Sequence, residues 1–365
     1  MNTIEERLRE TLTARAAIVP DHLPPDLSDL SLPEPPRRGR RLAPVAVAAM
    51  IAALIAGIAV VVQQRMADPQ PASIPATPPF YVGSVVTDYA DVSYGPWEVY
   101  ATATGARVAT TLPQLSHARV AGVGDGRTFF LAGRNTDARH KRTTFYRITL
   151  NDRGQASADK IMALPSWEPI ESMAAAPDGR SFAFSMKSTQ VDCARACASW
   201  RELRVWDVVR SRASALYTAP VDKFPPVVGM SWLGDGHTLA LSLYERTTLQ
   251  ARALDLSKER TGDLRSSRVV TQSGGSLAGR RGAAAFVVVT SRTEGRTLLG
   301  EFSAKTGKRL RELTVGGWFD PIGYDAKGKA LLGATRTGLA RLDGSRLTPI
   351  RTPPLKAGQR LVAAW

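Results

Sequence analysis

From about residue 117 to residue 340 the chain repeats one pattern of apolar and polar positions. A short apolar run leads into a turn, and a second run alternating small and large apolar residues follows at once. "AAPDGRSFAF" (Ala175–Phe184) is the clearest copy, with its turn at Asp178-Gly179. "VAGVGDGRTFFLAG" (Val120–Gly133) and "GMSWLGDGHTLALS" (Gly229–Ser242) carry Asp125-Gly126 and Asp235-Gly236. Two degraded copies, "SLAGRRGAAAFVVV" (Ser276–Val289) and "PIGYDAKGKALLGA" (Pro321–Ala334), turn at Arg281-Gly282 and Lys327-Gly328. The spacings between these glycines are 53, 57, 46 and 46 residues. Period-two alternation predicts strands, and Gly after Asp predicts turns that need a positive φ.

Further alternating runs complete each unit, as in "TFYRITLNDRG" (Thr144–Gly154) and "ELRVWDVVRSR" (Glu202–Arg212). One unit is thus a meander of about four strands, too small to bury both of its faces alone. Units of this length must stack, and a ring of them removes the open edges. In such a ring Phe182 and Phe184 face one neighbouring blade and Ala183 faces the other.

These residues carry a resemblance. "APDGRSFAF" is similar to the repeat of TolB-type propellers, and "LRVWDV" (Leu203–Val208) resembles the end of a WD40 blade. The Gly-His element typical of WD40 repeats is missing, which favours the TolB-like side. The resemblance covers about residues 117–340 and implies an all-β propeller; five internal units and one composite blade give a six-bladed β-propeller over residues 80–365, with seven blades as the alternative. "QRLVAAW" (Gln359–Trp365) looks like the opening strand of a blade that stops before its turn, whereas "FYVGSVV" (Phe80–Val86) has no opener. A blade assembled from both ends would fasten the ring.

The region before residue 80 follows a different pattern. Ile4, Leu8, Leu12 and Ala16 form the apolar stripe of a short amphipathic helix, followed by a Pro-rich linker; together these make a head of residues 1–41. Residues 42–62, "LAPVAVAAMIAALIAGIAVVV", hold no charge and would span roughly 30 Å as a helix, the thickness of a bilayer core. Arg37, Arg38, Arg40 and Arg41 stand directly before it, so the positive-inside rule places the head in the cytoplasm and the C-terminal domain outside. The length of the run and the residues ahead of it argue for a retained anchor over a cleaved signal. Residues 63–79 read as a Pro-rich stalk. The layout resembles that of bacterial single-pass anti-sigma regulators, although the head has no cysteine and so lacks their zinc motif.

Charge and chemistry refine this picture modestly. The net charge is +15, and the head is balanced, so the excess lies in the remaining chain. A basic surface suits an acidic envelope polymer, but the Arg residues are scattered and no nucleic-acid-binding signature appears. Cys193 and Cys197 in "VDCARACAS" are expected to form a disulfide outside the membrane, the rival being a metal site completed by Met186. The histidines (His22, His117, His140, His237) show no metal-ligand spacing, and no nucleophile elbow, P-loop or dinucleotide fingerprint is present. No cofactor and no catalytic residue is therefore assigned. Trp232, Trp365 and, near the equivalent place, Trp318 recur in the repeat and read as packing between blades. Trp97, Trp167 and Trp200 fall near turns and are the candidate partner surface.

The reading that follows is a membrane-anchored, non-enzymatic binding, sensing or scaffold module with a protein partner, signalling through its head. The alternatives are an anti-sigma-type regulator and an extracytoplasmic enzyme of the lactonase or lyase kind. The enzyme requires acidic residues or a metal in the central channel.

Overall fold

The turn glycines set the register of the fold. Gly126, Gly179, Gly236, Gly282 and Gly328 take φ values of 69°, 66°, 76°, 71° and 64°, a region other residues enter at a cost. In the better copies the preceding Asp accepts hydrogen bonds from the backbone just beyond. Asp125 Oδ1 accepts from the N–H groups of Arg127 and Thr128, both at 2.8 Å, and Asp235 Oδ1 accepts from His237 and Thr238. Each turn thereby starts the next strand antiparallel to the last.

The computed structural model describes residues 77–365, apart from 88–95, 109–110, 136–141, 165–168, 190–198, 246, 259–260 and 326. The expected head helix, transmembrane helix and most of the stalk lie outside these residues. Among the described residues no helix is long and apolar enough to cross a membrane.

Six sheets, antiparallel but for one short edge strand, follow one another along the chain. Blade 1 contains β1 (Phe80–Val86) and β2 (Glu98–Ala101). Blade 2 holds β3 (Leu115–Gly122), β4 (Thr128–Asn135), β5 (Thr143–Leu150) and β6 (Ala156–Leu164). Blade 3 holds β7 (Ile170–Ala175), β8 (Ser181–Thr189), β9 (Ser199–Asp207) and β10 (Arg212–Pro220). Blade 4 has β11 (Val227–Trp232), β12 (Thr238–Glu245) and β13 (Thr248–Asp255); the short β14 (Thr261–Asp263) then pairs parallel to β10 of blade 3 before β15 (Arg268–Gly274) completes blade 4. Blade 5 has β16 (Leu277–Gly279), β17 (Ala285–Thr293), β18 (Arg296–Ser303) and β19 (Arg309–Gly316). Blade 6 has β20 (Asp320–Tyr324), β21 (Leu331–Thr335), β22 (Gly338–Asp343) and β23 (Arg346–Ile350). Finally β24 (Arg360–Ala364) returns to blade 1 and pairs antiparallel with β1, Val82 opposite Ala364 and Val86 opposite Arg360. The structure is a six-bladed β-propeller closed by strands from both ends, as the unmatched sequence ends suggest.

Packing between blades follows the alternation read in β8. Phe182 and Phe184 point toward blade 2, with ring centroids 4.9 Å from Phe130 to Phe182 and 4.7 Å from Phe145 to Phe184. Ala183 points the other way, into a cluster with Leu239 and Leu241 of blade 4. Large side chains on one face and small ones on the other let neighbouring sheets interdigitate. At the closure, Gly122 is a steric necessity: a Cβ there would collide with the Trp365 backbone.

The strand directions define two faces. The turns from first to second and from third to fourth strand lie on one, here the turn face. The second-to-third connections and the links between blades lie on the other, the loop face.

Two substitutions test this packing. Phe182→Ala should lower unfolding free energy by about 3–5 kcal/mol in urea denaturation, because it empties a site shared by two blades. Gly122→Ala should destabilise despite adding only a methyl group, since it displaces β24. An unchanged midpoint in Gly122→Ala would mean that the C-terminal strand does not close the ring this way.

Candidate functional site

The first strands β24, β3, β7, β11, β16 and β20 surround the propeller axis, and a cavity of about 340 Å³ runs between them. Its walls are mostly small or apolar, with Val120, Ala174, Gly229, Ile322 and Ala363 contributed by five different blades. The two mouths differ in chemistry.

At the turn face the channel is crossed by one side chain. Blade 5 has Arg281 in the turn where blades 2, 3 and 4 carry Asp. The Arg281 guanidinium reaches the opposite blade and donates to the Val123 carbonyl. It lies against Gly124, where any Cβ would meet it. Burial pulls this guanidinium below its ordinary pKa, while the charges of Asp125 and Asp325 act against that fall. The turn is positioned from behind. Arg280 donates to Glu301 at 2.7 Å, Arg311 donates to the same carboxylate, and only 1% of the Glu301 side chain is exposed. Burial, with the Glu301 charge added, pushes the neighbouring Tyr324 hydroxyl up to about 12. Gly234 of blade 4 donates to the Arg280 carbonyl at 3.0 Å and fixes the turn on its other side.

The mouth at the loop face carries charged pairs instead. Arg201 donates from Nε to both oxygens of Glu171, at 3.0 and 2.9 Å, and from Nη1 to the Phe224 carbonyl. The same carboxylate accepts from Val227 N–H at 3.3 Å, and Arg119 donates to the Glu171 carbonyl. Blades 2, 3 and 4 are thus tied together around one acid. Across the channel Asp320 accepts from Ser276 Oγ at 2.7 Å and from Arg292, whose guanidinium lies 4.7 Å from the Trp318 ring. Arg360 of β24 lines the adjoining crevice, and burial draws its guanidinium down to about 10. On the loop face three large apolar side chains remain exposed: Val228, at 51%, lines the channel, whereas Trp200 at 39% and Tyr244 at 48% lie on β9 and β12, farther from the axis.

The sequence-predicted residues are distributed unevenly. Trp200 is 39% exposed near the loop-face start of β9. Trp97 is corrected: at 7% exposure it packs with Phe129 and Leu131 between blades 1 and 2, because it leads directly into an outer strand facing the next blade. Trp167, Cys193 and Cys197 lie outside the described residues, as do Arg37, Arg38, Arg40 and Arg41. Met186, the suggested third metal ligand, is buried in the core at 2% exposure. Trp232 and Trp365 are buried, but Trp318 is half-buried in the link before β20, and Tyr324 takes its place in the repeat. Arg281, Glu171 and Val228 were not singled out from sequence. The one available signal was the replacement of Asp by Arg in a degraded repeat. Among the described residues no group of acids, histidines and cysteines could hold a metal ion.

No family model and no curated protein matches the chain. Solved structures share the fold at low identity. The structure titled as a nidogen/laminin complex has a TM-score of 0.50 and 12% identity, covering 78% of this chain and 97% of that one. Hydrazine synthase of Kuenenia stuttgartiensis gives 0.38 and 13%, covering 67% and 64%. The acylaminoacyl peptidase of Pyrococcus horikoshii gives 0.45 and 11%, covering 76% and 44%. The chain thus spans less than two thirds of the hydrazine synthase and of the peptidase. A β-propeller fold is consistent with a binding or scaffold module.

Glu301→Gln should cost about 1–3 kcal/mol by weakening the charged hydrogen bonds that the buried carboxylate accepts from Arg280 and Arg311, whose own side chains are partly exposed and can be rehydrated. Arg281→Ala should cost less and should let a thiol reagent reach a cysteine placed at Ser231 from the turn face. Equal labelling rates with and without Arg281 would show that the side chain does not obstruct the channel.

Proposed function

We propose that the chain is a single-pass membrane protein whose extracytoplasmic propeller holds a protein partner at its open mouth, without catalysing a reaction. The observation that carries this reading is the asymmetry of the channel. Arg281 obstructs one end, while the other opens beside the exposed Val228, on a face that also exposes Trp200 and Tyr244. A partly apolar, partly charged rim around a concave centre suits a protein surface or peptide end. The acids facing that mouth, Glu171 and Asp320, are both engaged by guanidinium groups, which favours binding over acid-base chemistry.

The chain's entry point supports the orientation. Phe80 begins β1 at the turn face, and Thr77 just before it accepts a hydrogen bond from Arg341 at 3.0 Å. The chain thus enters the propeller on the face opposite the loop-face mouth, so the entering residues leave that mouth unobstructed. The run at residues 42–62 is the proposed anchor, and the head of residues 1–41 the part that relays occupancy to the cytoplasm.

The test is crosslinking of the full chain in native membranes, comparing the wild type with a Trp200→Ala, Val228→Asp, Tyr244→Ala variant. Central apolar contacts dominate interfaces, so the crosslinked partner should fall by about tenfold or more. Retention of the same partner at the same yield would overturn the assignment of the mouth. Alkaline carbonate should leave the protein in the membrane pellet, and its release would remove the anchor from the proposal.

A further inference from the structure

A second concave site lies away from the channel, on the turn face between blades 4 and 5. It is a crevice of about 450 Å³ whose edge carries Lys258, Arg268 and Lys305, together with His237, Ser266 and Asp255. Leu254 and Ala304, 3% and 6% exposed, lie at its base. Three separate elements bring the cations together. Lys258 follows β13, Arg268 opens β15, and Lys305 sits in the turn between β18 and β19 of the next blade. The Arg268 guanidinium donates to the Lys305 carbonyl, which ties the two blades at this point.

The charges here are unbalanced. Among the described residues none of Lys258, Arg268 and Lys305 forms an ion pair, although most guanidinium groups around both channel mouths do. Among the described residues the single carboxylate lining the crevice, Asp255, already accepts from Ser257 N–H at 2.9 Å and Ser257 Oγ at 2.6 Å. Those bonds hold it below the usual carboxylate range, with His237 and Lys258 adding to the effect. His237 is committed to its own turn, its Nδ1 2.8 Å from the Asp235 carbonyl oxygen. The crevice therefore gathers three exposed cations around one saturated acid, which acts electrostatically on Lys258 alone of the three.

We propose that this crevice binds a phosphate group, with Lys258, Arg268 and Lys305 as its cationic ligands. Phosphate suits the arrangement because its several oxygens can accept from donors on different sides, and a guanidinium fork matches two of them. Two sources supply that chemistry: the headgroup of an anionic phospholipid, or a free phosphate polymer. The crevice opens on the turn face, the face at which the described residues enter the propeller. This site is independent of what occupies the channel.

The experiment uses the full chain in neutral-detergent micelles, with tripolyphosphate titrated in one arm and phosphatidylglycerol added to the micelles in the other. The test variant is Lys258→Glu, Arg268→Glu, Lys305→Glu. The control variant makes an equal charge change on exposed loop-face residues: Arg296→Glu, Arg336→Glu, Lys356→Glu. Binding should be saturable in at least one arm, about tenfold or more weaker in the test variant, and within about twofold of wild type in the control. Tripolyphosphate binding would assign a free phosphate source, and binding only to the lipid micelles would assign a headgroup. Equal losses in both variants would attribute any binding to diffuse positive charge and overturn the site, as would the absence of saturable binding in both arms. A Lys258→Ala, Lys305→Ala variant, which introduces no repulsion, should lose affinity severalfold while its thermal unfolding stays unchanged.

Discussion

Every blade of this protein has two apolar faces, and only its neighbours can cover them. That constraint makes the pairing of β24 with β1 the contact on which the rest depends. Without it blade 1 loses its innermost strand, and the core shared by Tyr81, Leu361 and Trp365 opens to water. The same constraint explains why Phe182 and Phe184 share one face of β8 and Ala183 holds the other. It also explains why the backbone of Trp365 lies so close to Gly122 that no side chain fits between them.

Within that ring, symmetry is broken where the repeat is weakest. An Asp in the turn is a local device, accepting N–H groups two and three residues ahead. An Arg cannot accept them, so blade 5 needs support from elsewhere. It comes from the Gly234 N–H and from the buried Glu301, which holds Arg280 and Arg311. Freed from local bonding, Arg281 becomes a long-range element that joins opposite blades. The two ends of the channel thereby acquire different properties from nearly identical strands.

The fold was legible because its signals are local. Asp178-Gly179 and its relatives announce turns, and the alternation after them announces strands and even their facing directions. The closure was legible from an opener without a turn at residues 359–365. The site was harder to read, since its residues meet only through the ring. Glu171 and Arg201 are separated in sequence but bonded in space, and nothing in either neighbourhood marks the pair. Trp97 shows the opposite failure. Proximity to a turn suggested exposure, yet its side chain follows the strand it introduces and packs into the neighbouring blade. Arg281 looked like decay of a motif, and its role appears only once the opposite blade is in place.

The position of β24 also bears on how the protein reaches its folded state. Its partner β1 opens the propeller in sequence, and the five other blades intervene between them. Pairings between such distant segments form late, because the intervening loop must first be ordered. In a chain that emerges vectorially from a ribosome or a translocation pore, β1 and β2 therefore wait with exposed hydrogen-bonding edges until β24 arrives. During that interval the nascent ring is open to chaperones and to unwanted edge pairing. Closure of the ring therefore requires that synthesis has reached β24.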